Sequence, residues 1–249
     1  MNRIFFTTLS NEYYQKYGKQ FVDSFLKYST SNLIIFSEDM DCFDKGRVKV
    51  IRLNEVDKID DFKKNFLSLV GNKFKFLPYF SRMDVWIYKI ATHKQITSMF
   101  ADGLGIYIDS DSVITSSKFD DVITDFIAPI ENSLFYDIGI FRRVDDHLHP
   151  ESGFMAFNFS SKTLKTNFSE LFDEVINDKF YDLPSWTDCS LIDRAIIQNK
   201  LKAFDFCKEY QIKSTNPVYQ SKLKKVLLHL KGPRKGKYSL LKRLIGMYR

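Results

Sequence analysis

The chain has 249 residues, 44% of them hydrophobic and 16% aromatic, with a formal net charge of +6. That is enough apolar material for a sizeable core, which excludes a disordered chain, and three scattered cysteines (Cys42, Cys189, Cys207) without a Cys-x-x-Cys pair exclude structural zinc and point to a reducing compartment. No run approaches the ~20 apolar residues of a membrane span, and the opening residues lack the apolar stretch of a signal peptide, so the sequence predicts a cytoplasmic protein, soluble or peripheral at the inner face of a membrane.

In chain order, Arg3 to Thr8 reads as a strand, Glu12 to Tyr28 as an amphipathic helix, Asn32 to Phe36 as a strand and Val48 to Leu53 as a further β-type run. Alternating β and α elements predict an α/β fold with a mostly parallel, doubly wound sheet. A helical pattern around Ser81 to Thr92, and a further segment through Met99, lead into the apolar run Ile106-Tyr107-Ile108, which ends in Asp109-Ser110-Asp111-Ser112. Side chains alternate along a strand, so Asp109 and Asp111 lean the same way and can share one divalent cation. Open α/β sheets bind ligands at such carboxyl edges. Beyond it, Ser133 to Arg142 and Gly153 to Asn158 read as strands, and Asn167 to Asn177 and Cys189 to Asn199 as helices. Asn216-Pro217 is the best break, separating a body, residues 1–216, from a C-terminal segment, residues 217–249.

The charge is uneven. Residues 210–249 hold 11 Lys and Arg and no Asp or Glu, whereas residues 1–209 hold 26 basic against 31 acidic side chains. An acidic body does not suit nucleic acid, while the basic end suits anionic lipid or phosphate. Within that end, His229, Gly232 and Lys235 recur at three-residue intervals. A neutral imidazole can join two carboxylates on a cation, glycine admits close backbone approach, and lysine brings a compact positive charge to a phosphate. Leu241, Leu244, Ile245 and Tyr248 line one face of a helical pattern ringed by Lys242, Arg243 and Arg249, which suits an anionic membrane surface or packing on the body. His147 and His149 read as a polar loop, and His93 as a surface residue of its helix.

An Asp-x-Asp at a strand end followed far downstream by His-x-x-Gly-x-x-Lys resembles the retaining glycosyltransferases of the glycogenin and bacterial lipooligosaccharide galactosyltransferase type, glycosyltransferase family 8. Four further segments agree in order. Thr7 to Tyr14 resembles that family's opening strand and helix, and Ser81 to Trp86 its donor-contacting basic segment. Glu151 to Asn158 is similar to its Asn-Ser-Gly-Val-Leu-Leu-Ile-Asn strand, and Asp188 to Asp193 to its Asp-Gln-x-Leu-Leu-Asn block. Glu151 stands for the family's Asn, Cys189 for its Gln, and Gly236-Lys237 for the Pro-Trp after its lysine.

The resemblance implies a GT-A fold, with residues 1–111 as the nucleotide-binding half, 112–216 as the acceptor half and 217–249 completing the site. It implies nucleotide-sugar contacts by Thr7, Asn11, Tyr14, Arg82, Asp109, Ser110, Asp111, Gly232 and Lys235, with Tyr14 stacking on uracil. Mn²⁺ (or Mg²⁺) would sit on Asp109, Asp111 and His229; Asp188, with Glu151 and Ser152, would meet donor or acceptor sugar, and Asp188 and Glu151 carry the catalytic roles. The implied reaction moves a sugar from a UDP-sugar to a glycan or glycolipid acceptor with retention. Two rivals remain open on sequence: a haloacid-dehalogenase-like phosphatase with Asp109 as nucleophile, and a non-enzymatic protein that binds through its basic end.

Overall fold

The computed structural model describes residues 2–41, 43–71, 83–133, 135–142, 150–177, 179, 187–198, 201–213 and 217–229, with the backbone alone at Phe43, Tyr219 and His229. Strand β1 (Arg3–Thr8) sends Phe5 to one face of the sheet and Phe6 to the other, and helices cover both faces, so its apolar residues run without a break. The chain then enters α1 (Asn11–Tyr13), capped by Ser10, passes through a π-helical turn (Tyr14–Gly18) and continues as α2 (Lys19–Tyr28). The predicted helix is therefore helical throughout but widens for one turn. Gly18 closes that turn on the end of β1, where a Cβ would lie 2.5 Å from Leu9 Cδ2.

The chain continues through β2 (Asn32–Ser37), β3 (Phe43–Lys45), β4 (Val48–Arg52), α3 (Val56–Val70), α4 (Met83–Met99), β5 (Leu104–Ile108) and β6 (Ser112–Ile114). The second half holds α5 (Phe119–Glu131), β7 (Ile138–Arg142), β8 (Pro150–Asn158), α6 (Lys162–Ile176), α7 (Asp188–Gln198), β9 (Ala203–Asp205), α8 (Phe206–Glu209), α9 (Pro217–Gln220), a 3-10 turn (Lys222–Lys225) and β10 (Leu227–His229). Eight strands form one sheet in the order β3-β4-β2-β1-β5-β8-β7-β9. Only β3 and β8 oppose the common direction, so the sheet is mixed but mostly parallel, and it runs through both halves of the chain.

One face carries α3, α4, α6 and α7; the other carries α2, α5, α8 and the C-terminal turns. Helix α4 is buried on nearly every side, wedged between the sheet and α3, α6 and α7. A helix in that position is expected to be apolar all round. Lys89 and His93 break that rule, and His93, expected at the surface, is fully buried because its face of α4 points at the sheet.

Helices α3 and α5 occupy stretches that the sequence reading leaves unassigned, the strand expected from Gly153 begins at Pro150, and the run from Ser133 becomes a strand only at Ile138. Val218, Leu223, Val226 and Leu227 pack into the same core as Phe119 and Ile123, so residues beyond the Asn216-Pro217 break belong to the body as far as His229. Among the described residues no helix is long and apolar enough to cross a membrane.

Candidate active site

Strand β5 ends in a tight turn. Ser112 N donates to Asp109 O (3.1 Å) and Asp109 N donates to the carbonyl of Gly153 on β8 (3.0 Å), which fixes Asp109-Ser110-Asp111 at the rim of the sheet. Gly103, at φ +100°, starts the strand where a Cβ would meet Asn2 O at 2.6 Å, so the register of β5 against β1 requires glycine. The acidic turn lines a cleft of about 560 Å³ at the carboxyl ends of β1, β2 and β5.

The continuation of the turn, β6, pairs antiparallel with β10, and His229 lies opposite Ser112 in the register. The 114 residues between Ile114 and His229 thus return the chain to within one residue of Asp111 along the strand. Ser24 on α2 locks the pair by accepting from Ile114 N (3.0 Å). Among the described residues no three His, Cys, Asp or Glu side chains converge as a ready-made metal cluster; the imidazole of His229 lies outside them.

The cationic group at the acidic turn is Lys89, a residue that sequence reasoning missed. Its buried ammonium lies 2.9 Å from Asp109 Oδ1, 2.8 Å from Asp188 Oδ2 and 2.8 Å from the carbonyl of Ser152, and 4.4 Å from the centre of the Tyr107 ring. Its N–H groups donate to Asp109 Oδ1 and the Ser152 carbonyl, and its charge pairs with Asp188. Burial alone would lower its pKa, but the charges of Asp109 and Asp188 outweigh that and hold it well above the ordinary value. Lys89 therefore stays charged and ties β5, β8 and the first residue of α7 together. The available signal was a lone lysine inside the apolar run Ile87-Tyr88-Lys89-Ile90-Ala91, where a solvated face would show several polar residues.

Asp188 opens α7, where a carboxylate also suits the helix dipole. Cys189 donates to Ser152 Oγ (3.2 Å), and burial followed by the adjacent Asp188 charge pushes its thiol up to about 12, so it is an inert neutral donor. Glu151 and Ser152 are buried on β8 beside this group. The structure thus brings Asp109, Ser152 and Asp188 together around Lys89, with Glu151 next to them.

Thr7 is fully buried and Thr8 lines the cleft; Tyr14 packs into the core, while Tyr13 and Tyr17 face the cleft with their rings stacked at 5.5 Å. The π-helical turn sets this phase, and such turns recur at functional sites. Asn11 is exposed, its backbone N–H bound to Asp39 Oδ1 at 2.7 Å. Ser110 lies in the cleft wall between the two acids. Arg82, Gly232, Lys235, His147, His149 and the helical pattern over 238–249 lie outside the described residues.

Comparison with solved structures settles the architecture. The chain aligns over 92% of its length with 87% of the galactosyltransferase LgtC, solved with donor and acceptor sugar analogs, at 12% identity and a TM-score of 0.52. The fold is GT-A. The chain also aligns over 94% of its length with the glycosyltransferase GlyE of Streptococcus pneumoniae TIGR4, at 12% identity and a TM-score of 0.53, spanning 55% of that protein. No protein-family model matches the chain, and no curated protein matches it by sequence.

Proposed function

We propose that this protein is a metal-dependent glycosyltransferase that moves a sugar from a nucleoside diphosphate sugar, a UDP-sugar, to a glycan or lipid-linked acceptor with retention of configuration. The observation that supports the reading is the pairing of β6 with β10, which puts the backbone of residue 229 opposite Ser112, next to the acidic turn that lines the cleft. Charge supports it further. Among the described residues the cleft is lined by Glu12, Glu38, Asp84, Asp109 and Asp111 against Lys63 and Lys89. A diphosphate entering that excess of carboxylates is repelled unless a cation accompanies it.

The donor set fits such a cation. Asp109 and Asp111 supply hard oxygens, and His229 would add a nitrogen, a combination that favours Mn²⁺ over Mg²⁺. Bound there, the metal would neutralise charge on the departing diphosphate. Lys89 keeps Asp109 oriented from the protein side, and Asp188, held by the same ammonium, would meet the donor sugar as the resemblance implies. The acceptor hydroxyl approaches on the face from which the diphosphate leaves, and the diphosphate itself takes its proton, so no strong protein base is needed. Lys235 would add charge at the distal phosphate, and the basic residues beyond it suit an anionic membrane bearing a lipid-linked acceptor.

A panel of nucleotide sugars tested for Mn²⁺-dependent hydrolysis decides the reading without knowledge of the acceptor. UDP-sugar turnover that is abolished by chelation and falls ~10²-fold or more in Asp111→Ala supports it. Turnover of a simple phosphomonoester alone, or a near-unchanged Asp111→Ala rate at saturating Mn²⁺, overturns it.

A further inference from the structure

Past the acidic turn, between α2 and β6, lies a second groove of about 360 Å³ that shares no lining residue with the cleft. Its size falls within the range of small-molecule sites, about 300–1,000 Å³. Both walls continue segments that line the cleft. On one, Tyr17 faces the cleft and Gln20, three residues on, the groove; on the other, Asp111 lines the cleft and Val113 the groove. From Gln20 to Lys27 the helical wall runs about 10 Å at about 1.5 Å per residue, the length of a disaccharide.

Helical phase builds that wall. Gln20, Asp23 and Lys27 recur at intervals of three and four and form one stripe beside β6, while Phe21, Val22 and Phe25 turn into the core. Ser24, between them, is committed to the fold: its hydroxyl accepts from Ile114 N (3.0 Å) and donates to Phe21 O (2.8 Å), which pins β6 to the helix. The other edge of β6 is held by β10, where Thr115 N donates to Val226 O (2.9 Å). The walls are thus fixed, and the polar groups between them are open. Gln20 Nε2 is shielded from solvent with no hydrogen-bond partner among the described residues, so turning that amide into the groove breaks no bond. Lys27 rests over the Tyr28 ring, 4.7 Å from its centre. Asp23 stands 3.7 Å from Lys45 with both side chains more than half exposed, a loose contact that leaves a carboxylate oxygen available.

The lining therefore offers an amide, a carboxylate, an ammonium and the Thr115 hydroxyl beside the apolar surfaces of Val113 and Tyr28. Donors and acceptors are mixed, and its one carboxylate balances its one ammonium, so the groove attracts neither a bare phosphate nor a metal ion strongly. A neutral polyhydroxyl ligand fits such a set, because each hydroxyl both donates and accepts while the C–H faces of a sugar ring suit the apolar surfaces.

We infer that this groove binds neutral sugar units of a glycan chain, the part of the acceptor or product that lies beyond the reacting ring. That the sugar belongs to an acceptor rests on the proposed transfer reaction; that it is a neutral saccharide rests on the lining.

NMR titration without donor or metal tests this. Glucose, galactose, N-acetylglucosamine and the β-1,4- and α-1,4-linked tetramers of glucose are added to the wild type, Asp111→Ala and Gln20→Leu, with inorganic phosphate as a separate arm. At least one saccharide shifts the Gln20 side-chain amide and the Thr115 backbone signal in the millimolar range expected of a small neutral ligand, alike in the wild type and Asp111→Ala. Gln20→Leu, which keeps a good helix former, weakens the response at Thr115 about threefold or more, the scale of one hydrogen bond, and leaves UDP-sugar hydrolysis at the wild-type rate. No saccharide shift at Gln20 and Thr115, equal affinity in Gln20→Leu, or a stronger response to phosphate than to any saccharide overturns the inference. Saccharide binding in the groove of a protein that turns over no nucleotide sugar overturns the transferase reading instead and leaves the groove a glycan site.

Discussion

Two successive turns of α4 bury a basic residue with opposite outcomes. Lys89 meets three oxygens and is held charged, whereas His93, one turn on, sits among Phe6, Tyr107, Phe157 and Phe168 with ring centres 5.0–6.2 Å away and neither nitrogen bonded among the described residues. Burial, with the Lys89 charge adding to it, drives the His93 pKa well below 6.5 and leaves the ring neutral. Depth in the core is the same for both. What differs is the supply of carboxylates, and the site is built where that supply is.

Replacing Lys89 tests the charged half of this contrast and carries the largest expected effect. Lys89→Met leaves Asp188, itself buried, as an uncompensated charge and should cost about 3–5 kcal/mol in urea unfolding. Lys89→Met combined with Asp188→Leu should regain most of that stability, because an apolar pair no longer requires a partner charge. A single variant as stable as the wild type would mean that the ion cluster contributes nothing to holding β5, β8 and α7 together. Lys89→Arg sharpens the point: the charge remains, but a planar fork does not fit three converging oxygens, so a loss of about 1–3 kcal/mol is expected from the misfit.

The same contrast explains what the sequence made legible. Strands β1, β2 and β5 were readable because Ile, Phe, Leu and Tyr runs end at polar residues, and the Asp109-Ser110-Asp111 turn stood out because nothing apolar masks it. The role of His229 was expected only through resemblance, and the register of β10 describes its backbone alone, opposite Ser112. Lys89 and His93 were hidden by periodicity: α4 is buried on nearly every side, so no polar stripe tells which polar residues face inward. Helix α3 carried a readable pattern, with Val56, Ile59, Phe62 and Phe66 on one face, yet its lysines and aspartates resemble a charged linker. Helix α5 contains Pro129, which argues against a helix until the preceding turns are seen to hold it. Tyr13 and Tyr14 could not be separated, since one residue of helical phase, here shifted by the π-helical turn, decides which ring faces the cleft.

The neutral half of the contrast gives the smallest effect, and it depends on pH. In the unfolded chain His93 takes a proton near pH 6.5, while in the folded protein it stays neutral to a much lower pH. Its share of stability is therefore complete above about pH 6.5 and lost as the pH falls toward the folded pKa, at about 1.4 kcal/mol per pH unit for one proton. His93→Phe, which keeps a flat ring in the aromatic cage, should change stability little at pH 7 and remove that slope. Urea unfolding of both proteins from pH 7 to pH 5 measures it, the difference between the two curves isolating His93 from carboxylates they share. Parallel curves would mean that His93 gains a proton in the core, so that the aromatic cage does not exclude charge.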